Sequence, residues 1–133
     1  AEFERMGFDS TTHYQFAHFT NMNRDYLEIL EDVKRQYETI EKNYTKTIYF
    51  PHASIGWDNN PRYNSLTYPI MRNNTPEEVK KGFEMAKAFS DKYNTTPLIT
   101  INSWNEWTEM SYLEPDDVYG YGYLEAVRDV FLK

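Results

Sequence analysis

PLITINSWNEWTEMSYLEPDD, residues 97–117, is the stretch that decides the predicted fold. Its first part, Leu98 to Ser103, is apolar and rich in β-branched side chains, which predicts a strand covered on both faces, as in a parallel sheet. Five carboxylates and two indoles follow directly. In parallel α/β folds, binding and catalytic sites form where the strands end. The stretch therefore predicts a buried parallel strand with a functional site at its carboxyl end.

Strand, loop and helix recur three times along the chain, in units that cover about residues 7–45, 46–93 and 97–133. The predicted strands are Phe8 to Tyr14, Lys46 to Phe50 and Leu98 to Ser103. Consecutive strands are separated by one helix each, which implies right-handed parallel crossovers. The predicted fold class is therefore α/β, in a single domain.

Hydrophobic periodicity and capping signals predict the helices. In the first helix, apolar residues recur at spacings of three and four, which places them on one face. That face consists of Tyr26, Leu30, Val33, Tyr37, Ile40 and Tyr44. Asn21 or Asn23 could cap this helix.

In the second helix Thr75 is the cap, Pro76 the first helical residue and Glu78 the partner in a capping box. Its buried stripe is Val79, Phe83, Ala86 and Phe89. A last helix covers roughly residues 121–132.

The length of the chain limits what the units can build. An eight-stranded α/β barrel typically needs about 250 residues, and this chain of 133 residues supplies about three of the eight βα units. If the whole protein is such a barrel, the chain is its C-terminal part, and we expect the isolated piece to be inactive.

Three parallel units leave open strand edges, which expose unpaired backbone groups. We therefore predict that the chain self-associates through these edges or pairs with the remaining barrel units, or else that its fold is only marginally stable. Light scattering on a dilute solution checks this prediction, and a stable monomer would contradict it.

Charge and composition exclude several function classes. The net charge of −7 argues against a nucleic-acid partner, which requires a basic surface, and does not favour an anionic membrane. The chain has no cysteine, so disulfides, thiolate metal sites and cysteine nucleophiles are absent. Aromatic residues make up 17% of the chain, with twelve tyrosines. Such rings fill cores and also offer flat faces for stacking on ligands.

Glu106 and Glu109 are the candidate catalytic pair. In a helical turn their spacing brings the two Cβ atoms within about 5–6 Å. Carboxyl groups about 5–5.5 Å apart suit a retaining glycosidase, and groups about 6.5–9.5 Å apart suit an inverting one. Because the two acids repel each other, one should hold its proton more tightly than the other. A base beside a proton donor is what cleavage or formation of a glycosidic bond needs.

Two non-catalytic roles for the carboxylates stay open. The acids could stabilise the amino end of a helix, where the dipole favours negative charge, with Trp104 and Trp107 in the core. A cation site is the second alternative, because carboxylates are hard oxygen ligands. Its ligands would be Glu109, Glu114, Asp116 and Asp117.

Chemistry-bearing side chains also follow the first two strands. Asp58 and Arg62 could form an ordinary salt bridge that shapes a loop, or could line the same pocket as the acids. His13 and His18 lie outside metal-ligand spacing with any third group, which suggests histidines that line the site or the core. The candidate substrate-binding residues are Trp104, Asn105, Trp107, Trp57, Asp58, Arg62, His13, Tyr14, Tyr112 and Glu114.

Three segments carry a family resemblance. GFDSTTHYQFAH (7–18), FPHASIGWDNNPR (50–62) and NSWNEWTEMSYLEPDDVYGYGYLEAVRDVF (102–131) occur in the order of the signature segments of the WbsX-like domain family. That family is similar to glycoside hydrolase family 99, the endo-α-mannosidase and endo-mannanase group. The resemblance covers essentially the whole chain and implies a (β/α)8 barrel that acts on polysaccharide or glycan chains.

The resemblance also implies residue roles. The carboxylates of the Glu-Trp-x-Glu motif of those hydrolases fall on Glu106 and Glu109. Glu106 would be the base on the 2-hydroxyl of the sugar, and Glu109 the acid for the leaving oxygen and later the base for water. Configuration would be retained, and no metal or organic cofactor is implied. Met110 departs from the small residue, usually glycine, of the hydrolases.

Three functions remain open at this point. The first is an endo-acting, mannosidase-like glycosidase. The second is a glycosyltransferase on the same fold that builds surface polysaccharide, because the same acid pair serves hydrolysis and transfer. The third is a relative that binds carbohydrate without turnover.

Overall fold

Two parallel strand pairs form the centre of the structure. The computed structural model describes residues 2–43 and 46–132. In it β1 (Ser10–Thr11) pairs with β2 (Ile48–Tyr49), and β3 (His52–Ala53) pairs with β4 (Thr100–Ile101). The amide of Phe50 donates to the Thr11 carbonyl at 2.9 Å, and the amide of Thr100 donates to the Pro51 carbonyl at 3.0 Å. The segment 48–53 therefore lies between β1 and β4.

Five helices and one hairpin complete the described part of the chain. The helices are α1 (Glu2–Arg5), α2 (Tyr26–Asn43), α3 (Asn60–Tyr63), α4 (Pro76–Tyr93) and α5 (Gly122–Phe131). The antiparallel hairpin consists of β5 (Asn105–Glu106) and β6 (Ser111–Tyr112), with the 3-10 turn Trp107–Glu109 between them. A second 3-10 turn covers Phe16–His18. Parallel strands joined through helices confirm the α/β class, and α5 lies within one residue of its predicted ends. In the described residues no helix is long and apolar enough to cross a membrane.

The amphipathic faces of α2 and α4 form most of the core. The predicted faces of both helices are buried, and Tyr44 lies outside the described residues. The hydroxyl of Tyr26 donates to the Ser54 carbonyl and that of Tyr37 to the His52 carbonyl, both at 2.9 Å. A buried tyrosine hydroxyl needs such a partner. These two side chains thus attach α2 to the segment that follows β2.

The two long helices begin with different kinds of cap. Thr75 accepts a hydrogen bond from the Glu78 amide at 3.4 Å, as predicted. The prediction that Asn21 or Asn23 caps α2 is wrong. The Asp25 carbonyl accepts the first helical bond, and the Asp25 amide donates to the carboxylate of Glu28 at 3.3 Å. Asn21 instead accepts from the Asn23 amide, because it forms a local turn before the helix.

The third predicted strand is shorter and less covered than expected. Leu98 is 48% exposed, and Ile99 and Ile101 are only half-buried. Within the described residues β4 pairs with β3 alone, so the strand has one open edge and its apolar side chains line a groove beside Phe131. The prediction of a strand covered on both faces is therefore wrong for this chain.

Candidate active site

The hairpin that carries the two glutamates is fixed to the ends of β3 and β4 by polar side chains. The side-chain oxygen of Asn102 accepts from the Ile55 amide at 3.1 Å. The Ser103 hydroxyl donates to the Ser111 carbonyl at 3.0 Å, so the hairpin closes on its own base. Met110 ends the 3-10 turn with left-handed backbone angles, φ 49° and ψ 41°. The carboxylates therefore project from a turn whose two ends are both fixed.

Gly56 allows the loop after β3 to contact this turn. A Cβ atom at Gly56 would lie 2.1 Å from the carbonyl oxygen of Met110, closer than any real contact. Two residues later the Asp58 amide donates to the Glu109 carbonyl at 2.7 Å. The absence of a side chain at Gly56 is thus what lets the two loops meet.

Arg62 connects the two glutamates. Its Nη2 lies 2.9 Å from Oε1 of Glu106, and its Nη1 lies 3.3 Å from Oε1 of Glu109. The guanidinium also donates to the hydroxyl of Thr108 from Nε at 3.3 Å and from Nη2 at 3.1 Å. That hydroxyl in turn donates to Oε1 of Glu106 at 2.7 Å. One cation therefore holds both acids within the span of a single guanidinium.

The surroundings move the pKa values of the two acids in opposite directions. Two contacts lower the pKa of Glu106: the hydrogen bond from Thr108 has the larger effect, and the contact with Arg62 adds to it. Burial raises the pKa of Glu109, and the charge of Glu106 adds to this effect while Arg62 opposes it. The turn thus combines a carboxylate that stays ionised with a carboxyl group that retains its proton to higher pH.

The aromatic and polar residues around the acids fall into two groups. Trp57, Asp58 and Tyr112 line a cleft of about 250 Å³ beside Met110. On the hairpin, the Asn105 amide donates to the Glu114 carboxylate at 2.8 Å. Trp104 and Trp107 are 55% and 45% exposed. The exposure of both indoles argues against the alternative that placed them in the core.

Comparison with known proteins shows the family to which this chain belongs. A family model described as glycosyltransferase WbsX matches residues 3–127. The chain belongs to the WbsX family. Two curated relatives, each described as uncharacterized protein WxcX and each from a strain of Xanthomonas campestris pv. campestris, are 29% identical over 113 residues. The match covers 82% of this chain and 15% of each relative, so the chain spans a small part of their length.

A solved structure shares the fold of this WbsX family member. The GH99 endo-α-mannosidase from Bacteroides thetaiotaomicron matches 98% of this chain and 41% of its own, with a TM-score of 0.61 and 17% sequence identity. The α/β fold of the chain thus corresponds to part of a glycoside hydrolase family 99 barrel, and the resemblance inferred from the sequence is confirmed.

The residues after β1 make their contacts elsewhere in the WbsX chain. Nδ1 of His13 lies 2.8 Å from the Tyr49 hydroxyl, and its ring centroid lies 4.7 Å from that of Phe19. Burial lowers the pKa of His13. Tyr14 stacks on His18 with centroids 6.2 Å apart. The hydrogen bonds and ring contacts of His13 and Tyr14 thus join them to the β1–β2 region, and not to the group around Arg62.

Sequence reasoning missed two side chains of the site. Thr108 contacts both Arg62 and Glu106, and its position between the two glutamates was the signal that could have found it. The buried Asn60 holds the loop that carries Arg62; it stands among the polar residues that follow the second strand but was not one of the candidate site residues. Among the residues that the structure describes, no group of three or more histidines or acids could hold a metal ion. The alternative of a cation site therefore has no support in this part of the chain.

Proposed function

We propose that this chain carries the acid–base pair of a glycoside hydrolase-like domain that cleaves polysaccharide or glycan chains with retention of configuration. The observation that carries the proposal is the Arg62-bridged pair, in which Glu106 and Glu109 have pKa shifts of opposite sign. The fold shared with an endo-α-mannosidase supports it. The endo-acting, mannosidase-like activity belongs to this proposal, as does the assignment of the chain to about three units of a (β/α)8 barrel.

The directions of the two pKa shifts support the following division of roles. Ionised Glu106 takes the proton of the sugar 2-hydroxyl, whose oxygen then bonds to the anomeric carbon. Glu109 gives its proton to the leaving oxygen as the glycosidic bond breaks. In the second half, Glu109 takes a proton from water and the water oxygen bonds to the anomeric carbon. The bond between that carbon and the 2-oxygen breaks at the same time, and Glu106 returns its proton to the 2-oxygen. Two displacements at the same carbon give net retention, and no group of the protein becomes bonded to the sugar.

The substrate is proposed to lie against the aromatic and polar side chains around the acid pair. Exposed indoles and half-buried tyrosines offer faces for sugar rings, and amide and carboxylate groups bind hydroxyls. The proposed substrate-contacting residues near the pair are Trp57, Asp58, Arg62, Trp104, Asn105, Trp107, Tyr112 and Glu114. His13 and Tyr14, in the β1–β2 region, are proposed to contact the substrate away from the acid pair. Further walls of the groove would come from the remaining units of the barrel.

The first test is an activity assay on the whole protein that carries this chain. A panel of mannans and N-glycans is presented, and release of new reducing ends is measured for wild type, Glu106→Gln and Glu109→Gln. We expect release by wild type that both substitutions abolish. Binding without release, unaffected by either substitution, would contradict catalysis and leave a carbohydrate-binding domain.

A glycosyltransferase is the second candidate function, because the matching family model is described as one. The same acid pair would then pass the glycosyl group to a sugar hydroxyl and not to water. Product analysis in the presence of an oligosaccharide acceptor distinguishes the two: elongated acceptor supports transfer, and shortened donor with free reducing ends supports hydrolysis.

The pH profile of kcat/KM tests the assigned roles. Turnover requires ionised Glu106 and protonated Glu109, so activity falls below the lowered pKa of the first and above the raised pKa of the second. Thr108→Val removes a hydrogen bond that lowers the pKa of Glu106, so the acidic limb should move to higher pH while the alkaline limb stays. Arg62→Gln removes a charge that lowers both pKa values, so both limbs should move to higher pH.

Thr39→Val is the matched control for this profile, since Thr39 is an exposed threonine on α2 whose hydroxyl bonds to the Arg35 carbonyl. Its profile should equal that of wild type. An acidic limb that does not move in Thr108→Val would contradict the role of Glu106 as the base.

A further inference from the structure

A closed loop extends from the acid pair, and we call residues 58–70 the tyrosine loop. Its two ends meet in an antiparallel bridge between Asp58 and Ile70. One residue outside the bridge, the Met71 amide donates to the Trp57 carbonyl at 2.9 Å. The base of the loop also contacts the turn 106–110 that carries the two glutamates, which we call the acid turn. This contact is the hydrogen bond from the Asp58 amide to the Glu109 carbonyl. The position of the loop is therefore fixed relative to Glu109.

The buried side chain of Asn60 holds the loop in one conformation. Its Nδ2 donates to Oδ1 of Asp58 at 2.6 Å and to the Tyr68 carbonyl at 3.1 Å, and its Oδ1 accepts from the Tyr68 amide at 2.9 Å. The Asn60 carbonyl accepts from the Ser65 amide at 3.0 Å. One side chain thus joins both arms of the loop, which makes the loop pre-organised and not merely exposed.

The loop presents a pair of aromatic rings to solvent. Tyr63 and Tyr68 stack with centroids 4.9 Å apart and planes inclined by 29°. Tyr63 is 57% exposed, Tyr68 is 40% exposed and Leu66, at the tip, is 95% exposed. A rigid loop that keeps several apolar side chains in water is typical of a binding surface. Tyr63 directly follows Arg62, so the ring pair begins one residue after the side chain that bridges the two acids.

We propose that Tyr63 and Tyr68 form a stacking platform for a sugar ring of the same glycan chain, at a distance from the bond that is cleaved. The platform adds a second contact region for the substrate of the proposed function, and the proposal rests on that function. Tyrosine offers a flat apolar face with a hydroxyl at its rim, which suits the alternating C–H and O–H groups of a pyranose. A neutral ligand fits the site better than an anion, because Arg62 is already paired with two carboxylates and the chain carries a net charge of −7.

The platform predicts a dependence on chain length. In the whole protein blocked by Glu109→Gln, titration calorimetry measures the affinity for mannobiose and for a longer manno-oligosaccharide. Tyr63→Ala and Tyr68→Ala should each weaken binding of the longer ligand by roughly tenfold, the loss of one aromatic contact. Binding of mannobiose and the melting temperature should not change. Tyr63→Phe keeps the ring and should bind the longer ligand as tightly as the parent, which is the Glu109→Gln protein without a further substitution.

The outcomes separate this proposal from the proposed function. Tyr93→Ala is the matched control, because Tyr93 on α4 is similarly exposed at 38%. Equal affinity of Tyr63→Ala and the parent for the longer ligand would overturn the platform alone. A lower melting temperature with unchanged affinity would make the ring pair a structural contact and would also overturn it. Failure of the parent to bind either ligand would overturn the platform together with the mannan-directed function.

Discussion

Glu109→Gln should lower kcat/KM on an unactivated glycan by about 10²–10⁴-fold, the usual contribution of a general acid. The glutamine cannot give a proton to the leaving oxygen, yet it keeps the shape of the side chain and its contact with Arg62. The measurement is the initial rate of reducing-end release by the whole protein, at substrate concentrations well below KM.

A substrate with an activated leaving group separates the two acids. A dinitrophenyl glycoside needs no protonation to leave, so Glu109→Gln should cleave it with a much smaller loss of rate. Glu106→Gln should be slow on both substrates, because the attack of the 2-hydroxyl needs the base in either case. Glu38→Gln is the matched control, since Glu38 is an exposed glutamate on α2 with no assigned role in binding or proton transfer. Equal losses for Glu109→Gln on both substrates would contradict the role of Glu109 as the acid.

Gly56→Ala should have the largest effect on stability. The new methyl group would lie 2.1 Å from the carbonyl oxygen of Met110, and a backbone atom cannot move aside as a flexible side chain can. Overpacking of this kind costs about 1–3 kcal/mol and occasionally more. We expect a loss of about 3 kcal/mol in the free energy of unfolding, at the upper end of that range, measured by urea denaturation of the chain. The hydrogen bond between Asp58 and Glu109 should be disrupted as well.

Gly120→Ala provides the comparison for this effect. Gly120 has a positive φ of 57°, and no atom lies within 4 Å of the position that its Cβ would occupy. Alanine there should cost about 1–2 kcal/mol through backbone strain alone. Equal losses for the two variants would contradict the view that close contact of the two loops, and not backbone conformation, requires glycine at position 56.

Helices α2, α4 and α5 were predicted from the sequence because their signals are local, whereas the four-residue helices α1 and α3 were not predicted. An apolar face and its cap lie within one or two turns, and packing of that face is what stabilises a helix in a protein. Thr75 and Pro76 therefore located the start of α4 correctly. The start of α2 was misplaced because Asn21, Asn23 and Asp25 are all suitable caps, and the choice depends on how the chain approaches the helix.

The strands and the site depend on distant residues, which limited the prediction. The burial of β4 depends on which elements pack beside it, and the sequence of the strand does not contain that information. This apolar strand is therefore half-exposed in the structure. Glu106 and Glu109 stood out because they are close in sequence. Arg62 is 44 positions from Glu106, and its role as a bridge needs Gly56 and Asn60 to place α3 against the acid turn. No sequence spacing indicates that contact.

The anomeric configuration of the first product tests the central claim most directly. Proton NMR follows the reaction of the whole protein with a defined oligosaccharide before mutarotation equilibrates the released sugar. We predict that the first product has the configuration of the substrate, and that its signal disappears in Glu106→Gln and Glu109→Gln. A first product of inverted configuration, or release that persists in both variants, would contradict the retaining acid–base pair bridged by Arg62.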